Sequence, residues 1–469
     1  MRKRQNEIAP PEPGYRRETG WMREVAALVA LGAPMGLTQL IQFSVNTIDV
    51  LMIGRIGAEA LAASSLGLVV FYATFLVGFG PAMAISPMVA QALGADRDNF
   101  DDVRRSVRMG LWATALAFPA IVVFYLFARD IALALGQPDV LADLAAPYIL
   151  ALAPGWPFMI GVLILRNFLA AIDRTRAPLV IIVVTTILNA LMNYTLIYGN
   201  WGFPRLELVG AGLASSAAHF IGFAMLVVYI GWDGAARQFD LFRNMLTPCW
   251  ARLREIVRLG WPIGVSFAFE MLLFNAAVLL MGRIGVDEVA AYQVALNVAA
   301  IAFMMPLGFS MAGCVRVGLA QGAGDADGVR RAALLTIVVS VATIMIFAVM
   351  IVIAPHWVAG LYLDAGDPAN ANVLGLVASF LPIAAAFMLF DGAQVAASQV
   401  LRGLKDVRIP MILTGVSYWL IGFPVAFGFG LYSPLGATGV WWGLLAGLAA
   451  ASILLGARVL LLVRKPTSS

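Results

Sequence analysis

Apolar stretches of about 20 residues or more recur along the whole chain, each long enough to cross a bilayer core at the helical rise of about 1.5 Å per residue. We count twelve, at 24–52, 60–92, 104–127, 144–171, 178–199, 208–231, 252–283, 288–321, 330–353, 372–401, 410–431 and 437–463. A membrane β-barrel would show short segments of alternating polarity instead, and that pattern is missing from the sequence. With 61% apolar and 12% charged residues over 469 positions, the chain is too apolar for a water-soluble globule. The fold class expected is an all-α membrane protein, with twelve transmembrane helices in two pseudo-symmetric six-helix lobes.

Charge sets the topology. Basic residues gather at the N-terminus (Arg2, Lys3, Arg4, Arg16, Arg17, Arg23), around Arg97 to Arg108, Arg166 to Arg176, Arg237 to Arg258, Arg316 to Arg331 and Arg402 to Arg408, and in the tail (Arg458, Arg464, Lys465). These segments fall on one side of the membrane, and only Arg55, Arg129, Arg205 and Arg283 of the 31 lysines and arginines fall on the other. By the positive-inside rule both termini face the cytoplasm of a multi-pass inner-membrane protein. The polar, basic start lacks a cleavable secretory signal, so the first span is expected to serve as the targeting signal. The net charge of +4 is a matter of topology and headgroup contact, with no nucleic-acid partner expected.

The chain also repeats itself. LGAPMG at Leu31 to Gly36 returns as LGWPIG at Leu259 to Gly264, and at the same offset of 228 residues Gly54-Arg55-Ile56-Gly57 returns as Gly282-Arg283-Ile284-Gly285. Residue identity then suggests a drifting offset, pairing Gly78-Phe79 with Gly308-Phe309, Ala90-Gln91 with Ala320-Gln321, and Pro178 with Pro410. The organisation read from this is a cytoplasmic tail (1–23), an N-terminal lobe (24–231), a cytoplasmic linker (232–251), a C-terminal lobe (252–463) and a second cytoplasmic tail (464–469). Six spans per lobe give both lobes one orientation, with a pseudo-two-fold axis along the membrane normal and a substrate path between them. Pro34 and Pro262 would loosen each lobe's first helix.

Ionisable groups deep in a span are costly and need a job or a partner. Glu270 lies 12 residues from Arg258 and 13 from Arg283, about 18–20 Å along the helix each way, near the midplane. Asp391 is similarly deep, with Gln394 three residues on along the same face. Asp49 lies nearer the outer mouth and continues a polar stripe of Gln39, Gln42 and Asn46. Across the repeat, Glu270 falls opposite Gln42 and Asp49 opposite Ala277, while Asp391 falls among apolar counterparts near Met159 to Leu163. Two roles fit these acids: exchange of a proton against Na+ or a cationic substrate, or satisfied polar groups that fix helix packing. His219 reads as a packing residue able to titrate, His356 as loop-proximal, and Arg316 as a chain that snorkels to headgroups or meets acidic partners. Cys249 and Cys314 are too few and too far apart for a disulfide framework or thiolate site.

Several runs then resemble one family. NTIDVLMIGRIG around Asp49, the run from Asn189 through Asn193 to Tyr198, Leu389 to Pro410, Tyr418 to Pro424, and Leu435 to Gly443 are similar to multidrug and toxic compound extrusion proteins of the NorM-like branch. The resemblance runs from about Val25 to Leu462 and implies V-shaped lobes and cation-coupled efflux. It implies a cation site at Glu270 and Asp391 that could hold Na+, and a cluster of Asp49 with Asn189 and Asn193, which the Ser215 hydroxyl could join. Some relatives carry an aspartate where this chain has Asn193, implying an N-terminal lobe less ready to bind protons.

Neither a phosphate-binding loop, a metal-ligand spacing nor a nucleophile motif occurs, so the expectation is a secondary carrier, not an enzyme, with no cofactor beyond Na+ or H+ as coupling ion. Expected partners are small cationic substrates and the lipid bilayer, with the carrier acting as a monomer. The rival readings are a lipid-linked or polar-metabolite flippase and a membrane-embedded enzyme or scaffold. A flippase would want basic residues in its cavity, whereas the intramembrane charges read from sequence are acidic.

Overall fold

A computed structural model describes residues 20–362 and 367–464. The basic residues Arg2, Lys3, Arg4, Arg16, Arg17 and Lys465 lie outside the described residues. Twelve helices are long and apolar enough to span a membrane. They are α1 (Trp21–Gly54), α2 (Ala58–Ala95), α3 (Phe100–Leu126), α4 (Asp139–Ala171), α5 (Arg176–Tyr198), α6 (Glu207–Trp232), α7 (Trp250–Ile284), α8 (Val286–Gly322), α9 (Ala326–Ile353), α10 (Ala371–Gly403), α11 (Arg408–Leu431) and α12 (Ala437–Arg464). Span ends differ from the sequence reading by a few residues, since hydropathy does not register the polar turns that continue a helix past the lipid.

Local irregularities follow from local chemistry. α4 tightens into a 3₁₀ turn at Ala153–Gly155, where Pro154 and Pro157 remove two backbone donors from the ladder. α11 widens into a π-helical turn over Val416–Gly422 just before Pro424, whose missing N–H breaks the regular bonding. The linker carries a short helix, Gly234–Arg237, and lies against α3: Arg104 Nε and Arg108 Nη1 donate to the carbonyls of Phe239 and Asn244 (both 3.0 Å), and Trp112 Nε1 to that of Met245 (2.8 Å).

In a membrane, lipid is as apolar as leucine, so helices associate through close packing of small residues rather than by escaping solvent. The two lobes meet this way: α1 packs on α8, α7 on α2, and α2 on α8. Gly36 abuts Gly308, while the symmetry-related Gly264 abuts Gly80 at 3.8 Å from an added Cβ to Gly80 Cα. Likewise Gly32 faces Phe309 as Gly260 faces Pro81, and Gly94 faces the Leu319 carbonyl as Gly322 faces that of Gln91. Each pair maps onto the other at an offset of 228, which therefore holds through α2 and α8. Gly80, not Gly78, is the counterpart of Gly308, and Gln91 that of Leu319. Residue identity had suggested otherwise because packing repeats the small positions, whatever their neighbours.

These contacts all lie toward the ends where α1 and α7 begin and α2 and α8 finish. There Glu24 of α1 and Arg316 of α8 form a buried two-pronged ion pair (2.9 and 2.5 Å). Arg316 thus does not snorkel to headgroups; it ties the lobes together, and a carboxylate was within reach on a helix that sequence distance hides. Removing one partner of such a buried pair costs about 3–5 kcal/mol, because the other charge is stranded. Asp173, in the turn after α4, sits close enough to feel Arg316 and Arg174; burial nonetheless holds its carboxyl above the ordinary range. Gln91 Nε2 donates to the Gly403 carbonyl (2.8 Å) and Arg252 pairs with Asp102 (3.1 Å) at this same end. Beyond Gln39 no hydrogen bond or ion pair joins the lobes among the described residues, and Ser44 and Asn46 are exposed. One apolar core fills the N-terminal lobe and crosses this closed end into α8, α9, α10 and α12; a second fills the remaining part of the C-terminal lobe. The lobes are closed at one end and leave a cleft at the other.

Candidate functional site

The N-terminal lobe presents its acid from the second half of α1. Asp49 Oδ1 accepts from Asn193 Nδ2 at 2.6 Å, and the same nitrogen lies 3.3 Å from Asn189 Oδ1. Asn189 and Asn193 are four residues apart on α5, one helical turn, so both amides face α1, and both are buried. Ser215 Oγ of α6 lies 3.5 Å from Asp49 Oδ2, the limit of a hydrogen bond. Asp49, Asn189, Asn193 and Ser215 therefore stand together. Asn46 and Gln42 do not join them: Asn46 Nδ2 donates to Tyr72 of α2 (3.4 Å), and Gln42 is taken by another partner.

That partner is Arg166 of α4. Its Nη1 donates to Gln42 Oε1 at 2.9 Å and its Nη2 to Gln39 Oε1 at 2.7 Å. Sequence reading had placed Arg166 among the loop charges because it lies five residues before the end of α4. The structure puts it inside the lobe, so the expectation that intramembrane charges are all acidic is corrected.

The C-terminal lobe is built differently. Asp391 and Gln394 of α10 are buried, and Glu270 of α7 and Asp391 are near enough to interact electrostatically. Tyr418, fully buried in the π-helical turn of α11, feels both carboxylates, and Arg402 near the end of α10 feels Glu270. Asp391 Oδ1, Gln394 Oε1, Ser417 Oγ and Tyr418 Oη have no hydrogen-bond partner. Unmet polar atoms at this depth are costly; two of these are acceptor oxygens, on Asp391 and Gln394, and two are hydroxyls able to donate or accept. Sequence reading missed the role of Tyr418, although the Pro424 that distorts its turn was visible, and counted Arg402 as a loop charge.

The family model MatE matches residues 34–195 and again 262–427. The two matches begin 228 residues apart, the offset kept by the glycine contacts. The chain belongs to the MatE family. It is 41% identical over 456 residues to the probable multidrug resistance protein NorM of Rhizobium meliloti (strain 1021), covering 96% of each chain. Among solved structures, the eukaryotic MATE transporter AtDTX14 superposes with a TM-score of 0.83 at 21% identity, over 94% of this chain and 96% of that one. A MOP superfamily transporter from Pyrococcus furiosus, described as having a binding pocket of reverse polarity, gives 0.85 at 20% identity over 97% and 100%. This MatE chain is thus a multi-pass membrane transporter and not an enzyme.

The remaining candidates of this MatE transporter are structural. His219 bonds the Ser215 carbonyl of its own helix, and His356 is exposed on a short helix, Pro355–Gly360, outside the spans. Cys314 is buried in α8, and the backbone N–H of Cys249 donates to Met109 Sδ at 3.1 Å.

Proposed function

We propose that this MatE transporter is a secondary antiporter that exports organic cations across the inner membrane in exchange for Na+ or H+. The observation that carries the reading is the cluster of unmet oxygens on Asp391, Gln394 and Tyr418 beside Glu270. An ionised carboxylate at that depth needs a countercharge. Arg402 offers one to Glu270; Asp391 is left to a proton or a sodium ion. Asp49, held by Asn193, is the acceptor for the cationic cargo. With both termini in the cytoplasm by the positive-inside rule, the closed end faces the cytoplasm and the cleft opens outward. Alternating access then requires the Glu24–Arg316 pair and the glycine contacts to part. Two glycine-lined interfaces related by the pseudo-two-fold axis let the lobes rock as rigid bodies in a monomer.

The test is ethidium efflux from proteoliposomes under imposed sodium or proton gradients, wild type beside Asp391→Asn. Efflux driven by one gradient and lost in the variant supports the reading and names the ion. Gradient-driven efflux equal to wild type in both Asp391→Asn and Glu270→Gln would sink it.

A further inference from the structure

We infer that the lipid-facing side of α7, at the closed end, is a binding site for an anionic phospholipid, in which Arg254 and Arg258 share the headgroup phosphate and Trp250 and Trp261 flank it along the helix. The site stands apart from the cleft and does not depend on what the transporter carries.

Spacing and exposure define the face. Trp250, Arg254, Val257, Arg258 and Trp261 recur at intervals of one, three and four residues, which sets them on one side of α7. Trp250 is 60% and Trp261 47% exposed, and both arginines are exposed. Farther along, the same side continues as the exposed Leu272 and Leu279, so it looks toward lipid and away from the core of the lobe. Arg258 lies 25 residues before Arg283. That is about 37 Å along α7, a little more than a hydrocarbon core of about 30 Å, which sets Arg258 at the level of the headgroup phosphates.

Among the described residues neither arginine has an ion-pair partner. The acids nearby are engaged elsewhere: Glu255 with Arg252 (2.7 Å) and Lys405 (3.5 Å), and Asp102 with Arg252 (3.1 Å). α7 also starts with no acid in its first turn and no side-chain cap, so the positive end of the helix adds to the unbalanced charge. One helical turn, about 5.4 Å, separates Arg254 from Arg258. Two guanidinium forks can therefore meet on one phosphate, whose oxygens suit their paired N–H donors. Trp250 packs edge-on against Trp112 of α3, with 6.5 Å between ring centres, so a residue of the other lobe backs the outer end of the face. Trp261, deeper by about one turn than Arg258, sets its ring where acyl chains begin. The fold itself does not require any of this: at the offset of 228 the same side of α1 reads Met22, Ala26, Val29, Ala30 and Ala33, with neither charge nor ring. Charges serving topology alone could sit in any loop at this end, whereas two set one turn apart between tryptophans select an anionic headgroup.

The test is native mass spectrometry of the full chain in detergent, titrated with phosphatidylglycerol and separately with phosphatidylcholine, which carries the same phosphate beneath a neutralising choline. Wild type should retain its first phosphatidylglycerol about tenfold more tightly than phosphatidylcholine. Arg254→Gln/Arg258→Gln should weaken that first phosphatidylglycerol about tenfold, the loss expected for two arginines at a headgroup. Arg237→Gln/Arg243→Gln removes the same charge from exposed linker positions and should leave it within about twofold of wild type. Equal weakening in the two double variants would reduce the effect to net charge and overturn the inference, as would equal retention of the two lipids by wild type. Glycerol 3-phosphate, which offers a phosphate without acyl chains, should not displace the lipid; displacement would mark a site for free phosphate and overturn the inference as well.

Discussion

The two lobes share a fold and a repeat yet treat their buried acids in opposite ways. In the N-terminal lobe Asp49 accepts from Asn193 at 2.6 Å and has Ser215 at 3.5 Å, so its oxygens are oriented before any cargo arrives. In the C-terminal lobe Asp391 Oδ1, Gln394 Oε1 and Tyr418 Oη lie buried with nothing to bond. Duplication supplied one scaffold; the difference lies in whether the carboxylate itself is bonded, since Asn193 Oδ1 beside Asp49 is also buried without a partner. A satisfied carboxylate is a fixed recognition group, whereas an unsatisfied cluster favours the state in which something enters it. On the proposed reading the lobes divide the work, cargo on one side and coupling ion on the other.

The largest expected effect is on the unsatisfied side. Asp391→Asn should reduce gradient-driven efflux about a hundredfold or more, measured as initial rates in proteoliposomes, because the exchangeable charge is gone while the shape remains. Next comes the satisfied side: Asn193→Ala should weaken ethidium binding about tenfold by freeing Asp49 of its short hydrogen bond, while the dependence of efflux on the gradient keeps its slope. Tyr418→Phe should shift the half-saturating concentration of the coupling ion a few-fold with little loss of thermal stability, since the hydroxyl removed has no partner to strand. The smallest is Ser215→Ala, expected within about twofold of wild-type ethidium affinity, because a contact at 3.5 Å is barely a hydrogen bond. A large loss in Ser215→Ala with a small one in Asn193→Ala would break the comparison as drawn.

The twelve spans were legible because about 20 apolar residues in a row have few other uses in a chain. Asp49, Glu270 and Asp391 stood out for the same reason, as charges where apolar residues were expected. Arg166, Arg402 and Arg316 did not, since an arginine within a few residues of a helix end reads equally as a headgroup contact or an interior group. Only the bonds from Arg166 to α1, the ion pair of Arg316 with Glu24 and the nearness of Arg402 to Glu270 decide between them. The pairing of Gln42 with Arg166 instead of Asp49 was also hidden: a stripe along α1 shows which residues share a face, not which neighbouring helix reaches each one. The register of α2 against α8 misled for a further reason, because the glycines repeat by contact and their neighbours do not.

The division of work is tested most directly by measuring equilibrium ethidium binding and gradient-driven efflux on the same preparations of Asp49→Asn and Asp391→Asn. The account predicts that Asp49→Asn loses binding, whereas Asp391→Asn binds ethidium close to wild type and fails to move it against a gradient. Equal loss of binding in both variants, or gradient-driven efflux retained in Asp391→Asn, would contradict it.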